Sequence, residues 1–240
     1  MHSDWDFHII TSRPKMFLES TWLKDVTGLE QHAYAVRTPR FGGMPKVNVA
    51  LAGCEADLVI FPFHTFQAAR LGISLGLHRH SLRLRRKLQD LAIVIRPGWK
   101  FLKGATSWEA MYNKVIAEVE DPRLDDDTVR NLAEAFVCDY IWARRKLDRG
   151  ELIAVQRILH RELAETNLRL LHELKLRRGE RTFPDARRLE RIATAEQVNL
   201  MSISSRPEAG TLREAIEQHA GTLRGLSKEI LGDTWRWPAI

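Results

Sequence analysis

Residues 3–14, SDWDFHIITSRP, set two carboxylates, Asp4 and Asp6, directly against an apolar run. Phe7, Ile9 and Ile10 predict a short β-strand, and the period of two sends Asp4 and Asp6 to the same face. Two anions on one face repel unless something positive sits between them. Asp-x-Asp is also common in solvated loops, so a third carboxylate decides between the two readings.

Asp57 is the candidate. KVNVAL (46–51) and EADLVIFP (55–62), joined by Ala52, Gly53 and Cys54, have the form of a β-hairpin. Leu58 and Ile60 face one way, Val59 and Phe61 the other, so an aspartate opening this strand is partly buried and needs a partner. If the strand pairs beside the one carrying Asp4 and Asp6, three carboxylates converge. Oxygen ligands with open positions suit Mg²⁺, which keeps several waters and accepts substrate phosphates.

HAYAVRTP (32–39) has strand-like alternation, and DLAIVIRPG (90–98) fits either a strand or a short buried helix. From Thr106 the period becomes helical. Thr106 and Glu109 form a capping-box pattern before WEAMYNKVIAEVE. Val129, Ala133, Phe136, Tyr140 and Leu147 mark one helical stripe, and Leu152, Val155, Leu159, Leu163, Leu170 and Leu174 mark a longer one. Thr211 and Glu214 predict the cap of a last helix. The pattern is α+β, with a mixed-sheet domain over 1–104 and a helical bundle over 105–240.

The chain has 240 residues, 44% hydrophobic and 28% charged, enough for a sizeable core in one or two domains. It has no apolar run of about 18 residues, and its N-terminus has no signal-peptide pattern, so a cytoplasmic protein is expected. Two distant cysteines, Cys54 and Cys138, form neither a zinc nor a disulfide framework. The formal net charge of +6 is concentrated in LRLRRKLQ (82–89), WARRKLDRG (142–150) and LKLRRGER (174–181). Each cluster reads either as a helix end favoured by the dipole or as a contact for phosphate or nucleic acid.

SDWDFHII followed by EADLVIFP resembles the nucleotidyltransferase superfamily, of polymerase-beta-like fold. AFVCDYIWARRKLDRGELIAVQRIL (135–159) resembles the helical domain of its antibiotic-modifying branch, the aminoglycoside 6-adenylyltransferases and related enzymes. The resemblance implies transfer of a nucleoside monophosphate, AMP from ATP, to a hydroxyl of a small molecule such as an aminoglycoside-like antibiotic. Asp4, Asp6 and Asp57 are then the metal ligands and catalytic carboxylates, with Mg²⁺ as the ion and Asp57 drawing the acceptor's proton. Ser3, Arg145 and Lys146 stand where nucleotide contacts are expected. Asp139, Tyr140 and Trp142 are candidates for the acceptor site, which the helix over 129–147 would line. The family also carries a Gly-Ser pair roughly ten residues before Asp-x-Asp, whose backbone amides hold phosphates. Only Met1, His2 and Ser3 precede Asp4 here, so the resemblance leads to the expectation of a natural start upstream of Met1.

An alternative is a catalytically weakened homologue that binds nucleotide or RNA, or one that modifies a protein or tRNA as in toxin–antitoxin systems. The absent Gly-Ser pair and the basic clusters favour it. A cationic acceptor calls for acids, which Glu118, Glu120, Asp125, Asp126, Asp127 and Asp139 could supply; Asp125 to Asp127 read equally as a first helical turn. His78 and His80 read as surface residues, and Trp142, Trp235 and Trp237 as packing residues.

Overall fold

The computed structural model describes residues 5–25, 31–37, 44–51, 54–182, 186, 188–203 and 205–239. The chain divides into two compact units, Met1–Pro122 and Arg123–Ile240, and the architecture is α+β.

In the first unit, β1 (Trp5–Thr11), β2 (Gln31–Arg37), β3 (Lys46–Leu51) and β4 (Cys54–Pro62) form one sheet in the order β1-β4-β3-β2. β4 is parallel to β1 and antiparallel to β3, and β3 is antiparallel to β2. The expected hairpin is therefore present, with Cys54 already in the strand; Ala52 and Gly53 lie outside the described residues. Alternation divides the sheet cleanly. Val47, Val49, Leu51, Ala56, Leu58 and Ile60 form one apolar face, joined by Phe7 and Ile9 and covered by Phe17, Leu18, Trp22 and Leu23 from short 3₁₀ turns. The other face carries Ile10 and Phe61, which pack on a second core.

That core is built by α1 (Phe63–Ser74), α2 (Leu82–Ile95) and α3 (Ala105–Glu118), through Phe66, Ile73, Leu88, Ile95, Trp108, Tyr112 and Val115. The ambiguous run 90–98 is thus the second half of a helix. Ser81 caps that helix, its side chain accepting from the Leu84 amide at 3.3 Å, and Leu84, Leu88, Leu91 and Ile95 continue its stripe. The basic run 82–89 opens α2, so the expected dipole compensation at a C-terminus does not hold there. Arg85 instead reaches the carbonyls of His78 and Arg79 and ties down the preceding turn. The capping box at Thr106 is also absent. Gly104, in the left-handed region at φ 78°, turns the chain into α3 and leaves Thr106 inside the first turn. α3 belongs to the first unit, so that unit ends at Pro122 and not at residue 104.

The second unit is helical: α4 (Asp126–Asp148), α5 (Leu152–Ile158), α6 (Ala164–Arg177), α7 (Leu189–Ile192), α8 (Ala195–Met201) and α9 (Ala209–Leu231). The long stripe from Leu152 is continuous, yet a π-helical turn over Leu159–Leu163 interrupts it and separates α5 from α6. Asp125 caps α4, accepting from the Thr128 amide at 2.7 Å, as the acidic first turn suggests. α9 begins at Ala209 after Glu208, so Thr211 sits within the helix and makes no capping box. Phe136, Leu159, Leu163, Leu170, Leu212, Ile216 and Leu223 are buried at the centre of the bundle. Among the described residues no helix is long and apolar enough to cross a membrane.

Inside this bundle His219 is buried beside Asn167, whose amide nitrogen lies 3.1 Å from its Nδ1 and 3.0 Å from its carbonyl oxygen. Burial, with a smaller contribution from His160, lowers its pKa from 6.5 to about 4. The native state therefore refuses a proton that the unfolded chain accepts, so stability is fully present above 6.5 and falls as the pH drops from 6.5 towards about 4. Chemical denaturation is expected to give a lower midpoint at the bottom of that window than at pH 7, with part of the difference removed in His219→Gln and part belonging to His8, whose pKa burial also lowers to about 4.

Candidate active site

The polar face of the sheet is assembled by register. Asp6 on β1 pairs with Asp57 on β4, and Asp57 pairs with Asn48 on β3. Directly opposed residues on neighbouring strands point to the same side, so the three side chains form one row across strands about 4.8 Å apart. Lys46 and His8, each two residues along its strand, share that face. Asp6 and Asp57 thus stand side by side by register; Asp4 and Ser3 lie outside the described residues.

Both oxygens of Asp57 are engaged. Asn48 Nδ2 donates to Oδ1, and Lys46 Nζ lies 2.5 Å from Oδ2. These neighbours give an anion in a sheet, 24% exposed, the counter-charge and hydrogen bonding that partial burial demands. Asn48 Oδ1 is buried without a hydrogen-bond partner. The carboxylates of Asp6 and Asp57 are hard oxygen donors of the kind that suits Mg²⁺, and each Asp57 oxygen retains an acceptor site after its present contact. Among the described residues, no three His, Cys, Asp or Glu side chains group as metal ligands.

His8 continues the row. Its Nδ1 lies 3.0 Å from the hydroxyl of Tyr112 on α3, and its ring meets Phe61 edge-on at 5.2 Å. Burial lowers its pKa to about 4, so it is neutral, and burial likewise raises that of Tyr112. The sequence expectations missed Lys46, Asn48, His8 and Tyr112. The alternation in KVNVAL, polar at 46 and 48 and apolar at 47, 49 and 51, is the signal that could have exposed the first two.

The remaining candidates belong to the second unit, on α4. Asp139, Trp142 and Lys146, spaced three and four residues apart, lie along one face of that helix. Burial, helped by the charge of Glu162, raises the pKa of Asp139. Trp142 is 47% exposed, so it is not a packing residue, and Lys146 Nζ sits 5.8 Å over its ring. Lys146 also pairs with Glu151, and Arg145 is exposed in the last turn.

Tyr140 points the other way. It is 4% exposed, donates to Glu217 Oε1 at 2.8 Å, accepts from Arg144 at 3.1 Å, and meets Trp237 edge-on. Its surroundings describe a packing residue and not an acceptor contact. Tyr140→Phe is accordingly expected to cost about 1 kcal/mol in thermal or urea unfolding, the usual worth of a lost hydrogen bond. Trp235 and Trp237 pack as expected, and Trp235 Nε1 donates to Glu134 at 2.6 Å.

The acids proposed for a cleft are largely neutralised where they stand. Glu118 pairs with Lys114 at 2.7 Å and Arg79 at 3.3 Å, Asp126 with Arg177 at 2.8 Å and Asp127 with Arg130 at 2.7 Å. His78 is buried with Nε2 3.6 Å from Glu118, which corrects its reading as a surface residue; His80 is exposed.

No family model matches the chain, and no curated protein matches it. Among solved structures, the chain is similar to an aminoglycoside 6-adenyltransferase from Bacillus subtilis, with 12% identity and a TM-score of 0.45 over 98% of this chain and 83% of that one. At that identity and TM-score the likeness assigns neither family nor activity.

Proposed function

We propose that the first unit carries a nucleotidyl-transfer centre that moves a nucleoside monophosphate, AMP from ATP, to a hydroxyl of a small acceptor. The single observation that carries the reading is the in-register pairing of Asp6 with Asp57 on adjacent parallel strands. The lone buried amide oxygen of Asn48 beside them supports it.

In this reading Asp6 and Asp57 would hold Mg²⁺, with Asp4 as the third carboxylate. The bound ion supplies neutralisation of the triphosphate charge. Asp57, oriented by the Asn48 amide, accepts the proton of the attacking hydroxyl. The hydroxyl oxygen forms the new bond to the α-phosphorus as the bond to the pyrophosphate oxygen breaks. Neutral His8, held by Tyr112, keeps a second positive charge away from the ligands. In the second unit, the exposed ring of Trp142 supports a role in binding a hydroxylated, cationic acceptor, with Asp139 one turn before it on the same helix face.

The test is incubation with α-labelled ATP and a panel of aminoglycosides and simpler amino alcohols, with Mg²⁺ or with chelator. Label appearing on an acceptor only with Mg²⁺ is the expected outcome; no labelled product and no pyrophosphate would sink the reading. A second reading, a nucleotide-binding homologue without transfer, is favoured by the Lys46–Asp57 ion pair, which already neutralises the proposed base. ATP binding without any product would select it.

A further inference from the structure

We propose that Lys46 is the resident counter-ion of Asp57, that a divalent cation displaces it, and that the freed ammonium then engages the polyphosphate. The inference rests on the nucleotidyl-transfer reading and concerns the order of events at that site. Three features carry it. Asp6 and Asp57 stand side by side in register, and two neighbouring carboxylates without a cation repel. Lys46 Nζ, 2.5 Å from Asp57 Oδ2, relieves that repulsion from the adjacent strand. Asn48 holds the other oxygen independently, so Asp57 stays oriented when Lys46 leaves.

Lys46 is also built to leave. Its side chain is 34% exposed and flexible, and an ammonium is a point charge without the fixed fork that would lock an arginine onto a carboxylate. A dication and an ammonium on one carboxylate oxygen repel, so the stronger charge takes the site. The released group remains on the same sheet face as Asp6 and Asp57, where the phosphates of a bound nucleoside triphosphate would lie. The lysine thus offsets the repulsion between the two carboxylates and makes metal binding competitive.

The direct test is Mn²⁺ binding, followed by calorimetry without nucleotide, in the wild type, Lys46→Met and Lys46→Gln. Removing the competing charge is expected to tighten Mn²⁺ binding about tenfold, as removal of a like charge shifts an ionic equilibrium, and to weaken Mg²⁺-dependent ATP binding. In the wild type, acetylation of Lys46 by a soluble acyl donor, read by mass spectrometry, should speed up on adding Mn²⁺ and slow down when ATP and Mg²⁺ are both present. Asp57-dependent Mn²⁺ binding that is unchanged or weaker in the Lys46 variants overturns this inference and leaves the nucleotidyl-transfer reading standing. So does a Lys46 acetylation rate indifferent to Mn²⁺. Absence of Mn²⁺ binding in every form overturns both.

Discussion

Asp57→Asn is expected to reduce nucleotidyl transfer by about 10²-fold or more while leaving the melting temperature within a few degrees of the wild type. The amide keeps the size of the carboxylate and one acceptor oxygen for Asn48. It loses the charge that opposes Lys46, attracts a dication and takes a proton from a hydroxyl. The stability effect is small because the Lys46–Asp57 pair is partly exposed, and pairs of that kind contribute roughly 1 kcal/mol or less. Side-by-side kinetics and thermal melts check both halves. A large drop in melting temperature would make Asp57 a structural residue, and unchanged transfer would remove it from the chemistry.

Glu173→Ala is expected to have the opposite profile, a loss of about 3–5 kcal/mol of stability in the helical unit and a fall in its melting temperature of about 10 °C or more. Glu173 is 1% exposed, and its carboxylate accepts from Arg123 Nε at 3.2 Å, Arg177 Nε at 2.9 Å and the Leu124 amide at 2.9 Å. Arg177 in turn donates to the Leu124 carbonyl and to Asp126, so this one acid fastens the segment leading into α4 onto α6. Its removal takes the buried partner from Arg123 and one of three partners from Arg177, and leaves the Leu124 amide without its acceptor. Glu173→Gln, which keeps the acceptor oxygen but not the charge, should lose distinctly less. Urea denaturation of the three proteins measures this, and a loss below about 1 kcal/mol for the alanine variant would contradict it.

Period carried most of the fold. Phe7, Ile9 and the KVNVAL and DLVIFP runs marked strands because one face of each is buried, and the stripe through Phe136 and Leu147 marked α4 for the same reason. Caps were not legible: Thr106 and Thr211 fit the pattern but lie inside helices whose starts are set by Gly104 and Glu208, while Asp125, read only as part of an acidic first turn, is itself the cap of α4. The π-turn at Leu159–Leu163 was invisible, since both leucines keep to the apolar stripe through it.

At the site, Asp6 and Asp57 were marked as carboxylates on strand-like runs, and their meeting was conditional on those strands being neighbours, which the register of β1 against β4 supplies. Lys46 and Asn48 could not be placed beside Asp57 without knowing how the hairpin aligns, a one-residue slip of which would turn both away. His8 and Tyr112 meet across a separation that no local pattern encodes. Tyr140 and Trp142, two residues apart on one helix, were grouped as a pair; the helical turn puts one in the core and the other in solvent.

In the proposed centre Asp6 and Asp57 form a cation-dependent nucleotide site. Backbone amide spectra of the labelled protein, recorded as substoichiometric Mn²⁺ is added with ATP, test it most directly because paramagnetic broadening reports position. The signals of Asp6, Asp57 and Asn48 should broaden first, and Asp57→Asn should abolish the pattern. Broadening that begins around Asp139 and Glu162, or that spreads evenly over the surface with Asp6 and Asp57 no more affected than the rest, would contradict the account.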